Sequence, residues 1–330
     1  MTMLRNVLIM IMLVTSVWLY CLFTPIVTKS TGVVYYLKPG TSKKILVTEL
    51  SQQQVIPHPI ALTLYTYLRA RDHLKTGEYL FPAGTTLVSL WKQITNGTGF
   101  YYRPLTIVPG WTFTQLRHEL LKAEGLNQLT ATWADKGIMF ALGNGDVAPE
   151  GQFFPETYYY TRGVADLVIL KRAYDLMQNR FDEAWRNRAA NLPYKNSNDA
   201  LIVASLVEKE AYLNSERPII AGVIVNRLRK NMLLQIDPTV IYGMGDKYIG
   251  KIHKEDLRAD TPYNTYVHKG LPPTPIAMPS MASIEAAMHP DNNDYIYFVA
   301  KGNGSHQFSV TLPQHNAAVA ASIAAKKPPS

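Results

Sequence analysis

Cysteine is almost missing from this chain: one residue, Cys21, in 330. That count excludes a disulfide framework within the chain and any zinc site built from several thiolates. Histidine is present at 8 residues, five of them in the C-terminal third. His253, His268, His289, His306 and His315 show no pairing at metal-ligand spacing, so no metal is expected. H-E-x-x-H, P-loop and G-x-S-x-G patterns are absent as well, and Gly302-Asn303-Gly304-Ser305 lacks the context of a dinucleotide fingerprint. No cofactor is expected. What is present is a folded composition, 47% hydrophobic and 18% charged, with room for one large domain or two ordinary ones. The 33 basic residues against 25 acidic give a net charge of +8, which suits an acidic partner such as nucleic acid, anionic lipid or an acidic polymer. The basic residues are scattered rather than striped, and this argues against a nucleic-acid surface.

Charge is also missing locally. Asn6 to Thr24 carries no charged side chain, and a hydrocarbon core ~30 Å thick needs about 20 helical residues to cross it. Thr24-Pro25-Ile26-Val27 offers no A-x-A cleavage pattern, and the bulky Tyr20 before Cys21 argues against a lipid-attachment site. Residues 6–27 are therefore expected to be a single uncleaved membrane anchor, with 1–5 as a short tail on the other side. The alternative is a signal peptide with a weak cleavage site. Arg5 precedes the run while Lys29, Lys38, Lys43 and Lys44 follow it. Counted alone, these charges place the C-terminal side in the cytoplasm, although long folded domains cross largely regardless of flanking charge.

Three stretches after the run resemble one another. Lys38-Pro39-Gly40-Thr41-Ser42, Phe81-Pro82-Ala83-Gly84-Thr85-Thr86 and Val108-Pro109-Gly110-Trp111-Thr112 each precede an amphipathic segment. Each reads as a strand end, a Pro/Gly turn, a capping Ser or Thr, and a helix. Leu46, Leu50 and Val55, and then Leu87, Leu90 and Ile94, mark the buried faces. Near the C-terminus, Tyr295–Ala300 and His306–Val310 flank Lys301-Gly302-Asn303-Gly304-Ser305, a hairpin signal.

The chemistry is best sought at a helix predicted from about Ala200, behind the capping residues Asn196-Ser197-Asn198-Asp199. Leu201 to Val207 is uncharged and mostly apolar, so most faces of this helix are buried. Glu208 follows at once and shares a face with Leu201, Ala204 and Ser205. In an apolar pocket its carboxyl would gain the raised pKa of a general acid. The alternative is a helix reaching solvent through a Glu208-Lys209-Glu210 rim. Glu208 and Glu210 cannot form an acid/base pair on one face, because residues two apart point about 200° away from each other. Downstream, Asn226-Arg227-Leu228, Leu234 to Gly243, Thr261 to Tyr266 and Gly270 to Pro273 are rich in amides, tyrosines and turns. These groups suit a carbohydrate groove, and they are also ordinary loop residues.

Together these segments resemble the endolytic murein transglycosylases, the YceG-like family. The resemblance rests on V-E-K-E (Val207 to Glu210), N-R-L (Asn226 to Leu228), L-Q-x-D-P-T-V-x-Y-G (Leu234 to Gly243), Y-N-T-Y (Tyr263 to Tyr266) and G-L-P-P (Gly270 to Pro273). The loop E-G-x-x-F-P-E-T-Y (Glu150 to Tyr158) and the closing Tyr297 to Asn316 extend it over nearly the whole chain. It implies an α+β fold: an N-terminal transmembrane helix, a small LysM-like module over 33–102, and a larger mixed catalytic domain over 103–320 with a buried catalytic helix. A frayed tail is expected over 321–330. It implies a bacterial inner-membrane protein with its bulk in the periplasm or outside the cell, against the raw charge count. The implied reaction cleaves the β-1,4 bond between N-acetylmuramic acid and N-acetylglucosamine within peptidoglycan strands, without water. Glu208 is carried over as acid and then base toward the muramoyl 6-hydroxyl, closing a 1,6-anhydro ring. Gln235, Asn226, Tyr263 and Asn264 are candidate substrate contacts, while Asp237, Glu150 and Glu210 have equally plausible structural roles. Peptidoglycan synthases are the expected protein partners. A hydrolytic muramidase and a non-enzymatic peptidoglycan-binding scaffold are the competing functions.

Overall fold

Twenty-two residues free of acidic side chains form the first helix, α1 (Thr2–Phe23), in a computed structural model that describes residues 2–325. At 1.5 Å per residue it is about 33 Å long, and it is long and apolar enough to cross a membrane. Its side chains are exposed over most of its length. The expected anchor over 6–27 is too long at its end. The helix stops at Phe23, Ile26 donates its N–H to the Thr85 carbonyl at 2.8 Å, and Val27 is buried in the core that follows.

The chain divides into two units, each with its own core. The first runs to Arg103 and adds residues 124–126 and 159–164. It contains β1 (Val33–Leu37), α2 (Lys43–Gln52), α3 (Pro59–Leu68), β2 (Gly77–Phe81) and α4 (Leu87–Asn96). β1 and β2 pair antiparallel with Tyr35 opposite Tyr79. The predicted caps are formed: Ser42 accepts from the Ile45 N–H, and Thr86 with Ser89 makes a reciprocal capping box. Gly97 ends α4 at φ +70°, a backbone state that costs glycine little. Leu46 and Leu50 meet Leu87, Leu90 and Ile94 in one core, together with Leu62, Phe81 and Trp91. The expectation of a single helix per repeat omitted α3, which follows α2 after a short loop. A buried Glu78 ties this unit together by accepting from Arg103 at 2.9 Å and Arg162 at 3.2 Å.

β3 (Arg103–Thr106) and β4 (Thr157–Tyr160) form the second two-stranded sheet. The second unit then adds α5 (Phe113–Lys122), α6 (Asp135–Ala141), α7 (Asp166–Arg186), α8 (Ser197–Glu210), α9 (Arg217–Arg229), α10 (Asp237–Met244) and α11 (Met281–Met288). It closes with the predicted hairpin, β5 (Tyr297–Ala300) and β6 (His306–Ser309), and α12 (Leu312–Ala325). α12 is regular through 321–325, where a frayed tail is expected; 326–330 lie outside the described residues. α8 is the central helix, packed against α9, α10 and α11. Ala200 to Val207 are all buried in its core, as an uncharged run of that length requires.

Candidate active site

Asn196 starts α8 by accepting from the Asp199 N–H, and the helix ends at Glu210, so its last turn carries both glutamates of the V-E-K-E segment. Glu208 faces α9 and α11. Arg217 donates to it from two nitrogens at 3.0 and 3.3 Å, and Ser280 donates its backbone N–H at 2.8 Å and its hydroxyl at 2.5 Å. The Ser283 hydroxyl adds a fourth donor group at 2.8 Å, and the same hydroxyl accepts from Arg217. The Glu208 side chain is only 6% exposed. Burial alone would raise its pKa. The hydrogen bonds from Ser280 and Ser283 and the Arg217 charge outweigh burial and hold the carboxyl below its ordinary value of 4.5. This corrects the expectation of an apolar, pKa-raising pocket around Glu208. The pocket is polar, cationic and filled by the protein's own groups.

Glu210 sits on the opposite side of the same turn and differs in every respect. No hydrogen bond or ion pair to its carboxyl is found among the described residues. Burial and the neighbouring Asp237 carboxylate push its pKa up to about 7. Asp237 opens α10, where Pro238 fixes the first turn without needing an N–H donor. The Tyr266 hydroxyl donates to Asp237 at 2.5 Å, so Asp237 keeps a partner. Two carboxyls repel when both ionise, and this repulsion adds to burial in raising the Glu210 pKa. Residues two apart on a helix meet different surroundings, and the sequence carries no signal for which glutamate meets which.

The remaining candidates separate cleanly. Gln235 is exposed, two residues before Asp237, in a left-handed backbone state at φ +50°. It is held there by its N–H to the Thr265 carbonyl at 3.0 Å, and Ile236 donates to the Thr265 hydroxyl at 2.9 Å. A left-handed glutamine costs about 1–2 kcal/mol. Tyr263 is half-buried, its ring 4.8 Å from that of Tyr242 and its hydroxyl 2.9 Å from Thr274 Oγ1. Asn264 is not available to a substrate: it is fully buried and donates to the carbonyls of Asp256, Leu257 and Ala259. Asn226 likewise spends its amide nitrogen on the carbonyls of Asn293 and Tyr295, fixing the segment that leads into the hairpin. The buried Asn264 corrects the expectation of a substrate contact there, while the half-buried Asn226 has its amide nitrogen committed to the protein's own carbonyls.

Two further residues stand out, Glu150, expected only in a structural role, and Tyr212, which the sequence does not single out. Glu150 is buried, and its pKa is pushed up to about 7 by burial, against hydrogen bonds from the Phe113 N–H and the Tyr242 hydroxyl at 3.0 Å. Tyr212, two residues past Glu210, is 80% exposed and lies against Gly304 of the β5–β6 turn, where a Cβ would come within 2.8 Å of its ring. An exposed aromatic face of this kind is free to stack against a flat apolar surface. Nothing in the sequence distinguishes Tyr212 from the other tyrosines, 20 in all.

Comparisons with known proteins point to one family. The YceG-like family model matches residues 35–321. An endolytic murein transglycosylase of Bacillus subtilis is 32% identical over 306 residues, covering 87% of this chain and 84% of that protein. The Streptococcus pneumoniae protein of the same name is 28% identical over 301 residues, covering 79% of this chain, which spans 53% of the relative. Among solved structures, a YceG-like protein of Listeria monocytogenes superposes with a TM-score of 0.57 at 28% identity, over 88% of this chain and 99% of that one. With a family match extending over most of its length, and the motif-bearing helix α8 at the centre of that match, the chain belongs to the YceG-like family.

Proposed function

We propose that this protein is a membrane-anchored lytic transglycosylase of peptidoglycan, with Glu210 rather than Glu208 as its acid and base. The observation that carries the assignment is the free Glu210 carboxyl, beside Asp237 and with its pKa raised to about 7. An acid is most effective when its pKa lies near the working pH. The relatives from Bacillus subtilis and Streptococcus pneumoniae carry the name of this activity.

In the proposed reaction, protonated Glu210 donates to the oxygen linking N-acetylmuramic acid to N-acetylglucosamine, and the C1–O bond breaks. The resulting carboxylate takes the proton of the muramoyl 6-hydroxyl as O6 bonds to C1. One bond is lost, one is formed, and no water is consumed. The attacking hydroxyl is already part of the substrate, so it gains the advantage of proximity. Asp237 keeps Glu210 protonated in the free enzyme and faces the positive charge that develops at C1. Gln235, Tyr263 and Tyr212 supply amide, hydroxyl and ring contacts to the sugars.

α1 supports a single span in the inner membrane with both folded units on the periplasmic side. The β1–α2–α3–β2 order supports the reading of a LysM-like glycan-binding module. Cutting within nascent strands at the membrane would limit their length, alongside the synthases that make them.

The exposed Asp237 carboxylate beside Glu210 also favours a second reading, a hydrolytic muramidase in which Asp237 activates water. Mass spectrometry of products from full-length protein and purified glycan strands separates the two. The transglycosylase gives 1,6-anhydro ends. Reducing ends carrying added water would establish the muramidase, and binding without any product would leave a scaffold.

A further inference from the structure

α3 contains no charged residue, and it is apolar on both sides. One side, with Ala61, Leu62 and Tyr65, is buried in the core of the first unit. The other, with Ile60, Leu64, Tyr67 and Leu68, is exposed at 75, 50, 74 and 72%. These positions recur at i, i+4, i+7 and i+8, a continuous stripe along the helix. A stripe of this kind in water requires a reason.

The height at which α3 meets α1 supplies one. The Trp18 indole nitrogen donates to the Ala61 carbonyl in the first turn of α3, at 3.1 Å. Trp18 lies five residues before the end of α1 at Phe23, which is about 7–8 Å back along the helix axis. A bilayer core takes up about 20 helical residues, nearly all of α1. The first turn of α3 is therefore held at the level where α1 leaves the hydrocarbon, too deep for water to surround it. Directly after the stripe come Arg69 and Arg71, both exposed, at the end where long cationic side chains reach lipid phosphates.

We infer that the exposed stripe of α3 lies in the interfacial layer of the leaflet through which α1 exits, a second membrane contact beside the span. The inference rests on the reading of α1 as a membrane span. Its consequence is that the first unit is fixed in height and orientation against the bilayer, instead of swinging on a single helix. Tyr67 suits the headgroup level, where aromatic rings with a polar tip accumulate.

The test uses full-length protein with Cys21→Ser, reconstituted in phosphatidylethanolamine–phosphatidylglycerol vesicles. Single cysteines at Leu64 or Val14, both exposed, carry an environment-sensitive fluorophore. The expected result is quenching of the Leu64→Cys label by lipids spin-labelled near the headgroup, and iodide quenching several-fold weaker than for free label. The Val14→Cys label should be quenched by lipids labelled deep in the chain. A Leu64→Cys label open to iodide and untouched by lipid quenchers, with Val14→Cys quenched, would overturn the interfacial contact and leave the anchor standing. If neither label meets lipid, the span reading falls and takes the inference with it.

Discussion

Glu208 and Glu210 stand two positions apart on the last turn of α8, yet among the described residues one has four donor groups and the other has none. Glu208 is an ionised strut, with α9 reaching it through Arg217 and α11 through its first turn. Glu210 has no partner among the described residues, and burial with the neighbouring Asp237 raises its pKa to about 7. Burial near a helix end is common to both, so burial alone does not make a catalytic acid. The difference lies in whether the protein satisfies the charge it has buried. A carboxyl fully satisfied by internal donors has no proton to give, while an unsatisfied one is unstable in the folded state and reactive for the same reason.

The sharpest way to break this comparison is to neutralise each glutamate in turn. Glu210→Gln should lower the rate of 1,6-anhydro product formation by about 10²–10⁴-fold while the fold is kept. Folded Glu208→Gln protein that loses the same activity, beside an active Glu210→Gln variant, would reverse the assignment. Glu208→Gln itself should act on stability, because it leaves Arg217 buried without its counter-charge, at a cost of about 3 kcal/mol in urea unfolding. The sign with pH follows from the lowered folded pKa. This contribution is present above the unfolded value near 4.5 and is lost as pH falls through the folded value.

Glu210 should show the opposite pH behaviour. Its folded pKa of about 7 exceeds the unfolded 4.5, so ionising it costs folding energy as pH rises between those values. Activity should decline above pH 7 with an apparent pKa near that value, as the acid form disappears. Glu210→Gln should unfold at a higher temperature than the parent at pH 8 and at nearly the same temperature at pH 4. The gain at pH 8 is ~1 kcal/mol after allowance for partial exposure. An unchanged difference between pH 4 and pH 8 would show that Glu210 is not the strained group.

How much of this was readable beforehand follows from where the signals lie. The caps at Ser42, Thr86 and Thr112, the hairpin around Gly302 and the buried run Leu201 to Val207 are local patterns, and local hydrogen bonding and periodicity fix them. The identity of the acid is not local. Ser280 and Ser283 lie more than seventy residues from Glu208, and α8 is buried on every side up to Val207. Its periodicity therefore has no polar face that could say which glutamate meets donors. Asn226 and Asn264 read as sugar ligands because amides suit sugars, but a buried carbonyl needs an N–H just as much, and here the carbonyls claim them.

The smallest expected effect probes whether the backbone next to the acid is shaped for its side chain. Gln235 and Asn231 share nearly the same left-handed state, φ +50° and +51°, and both are exposed. Replacement by glycine relieves about 1 kcal/mol of strain in each and returns a similar amount through the freer unfolded chain. Both variants should therefore unfold within ~0.5 kcal/mol of the parent. Their kinetics should differ. Asn231→Gly, in the turn after α9, should leave turnover and KM unchanged, whereas Gln235→Gly removes an amide proposed to contact the sugars and should raise KM several-fold with little change in kcat. Equal kinetics for the two would mean that the strain at Gln235 serves only to start α10, through the Thr265 hydrogen bonds that Ile236 and the Gln235 backbone already make.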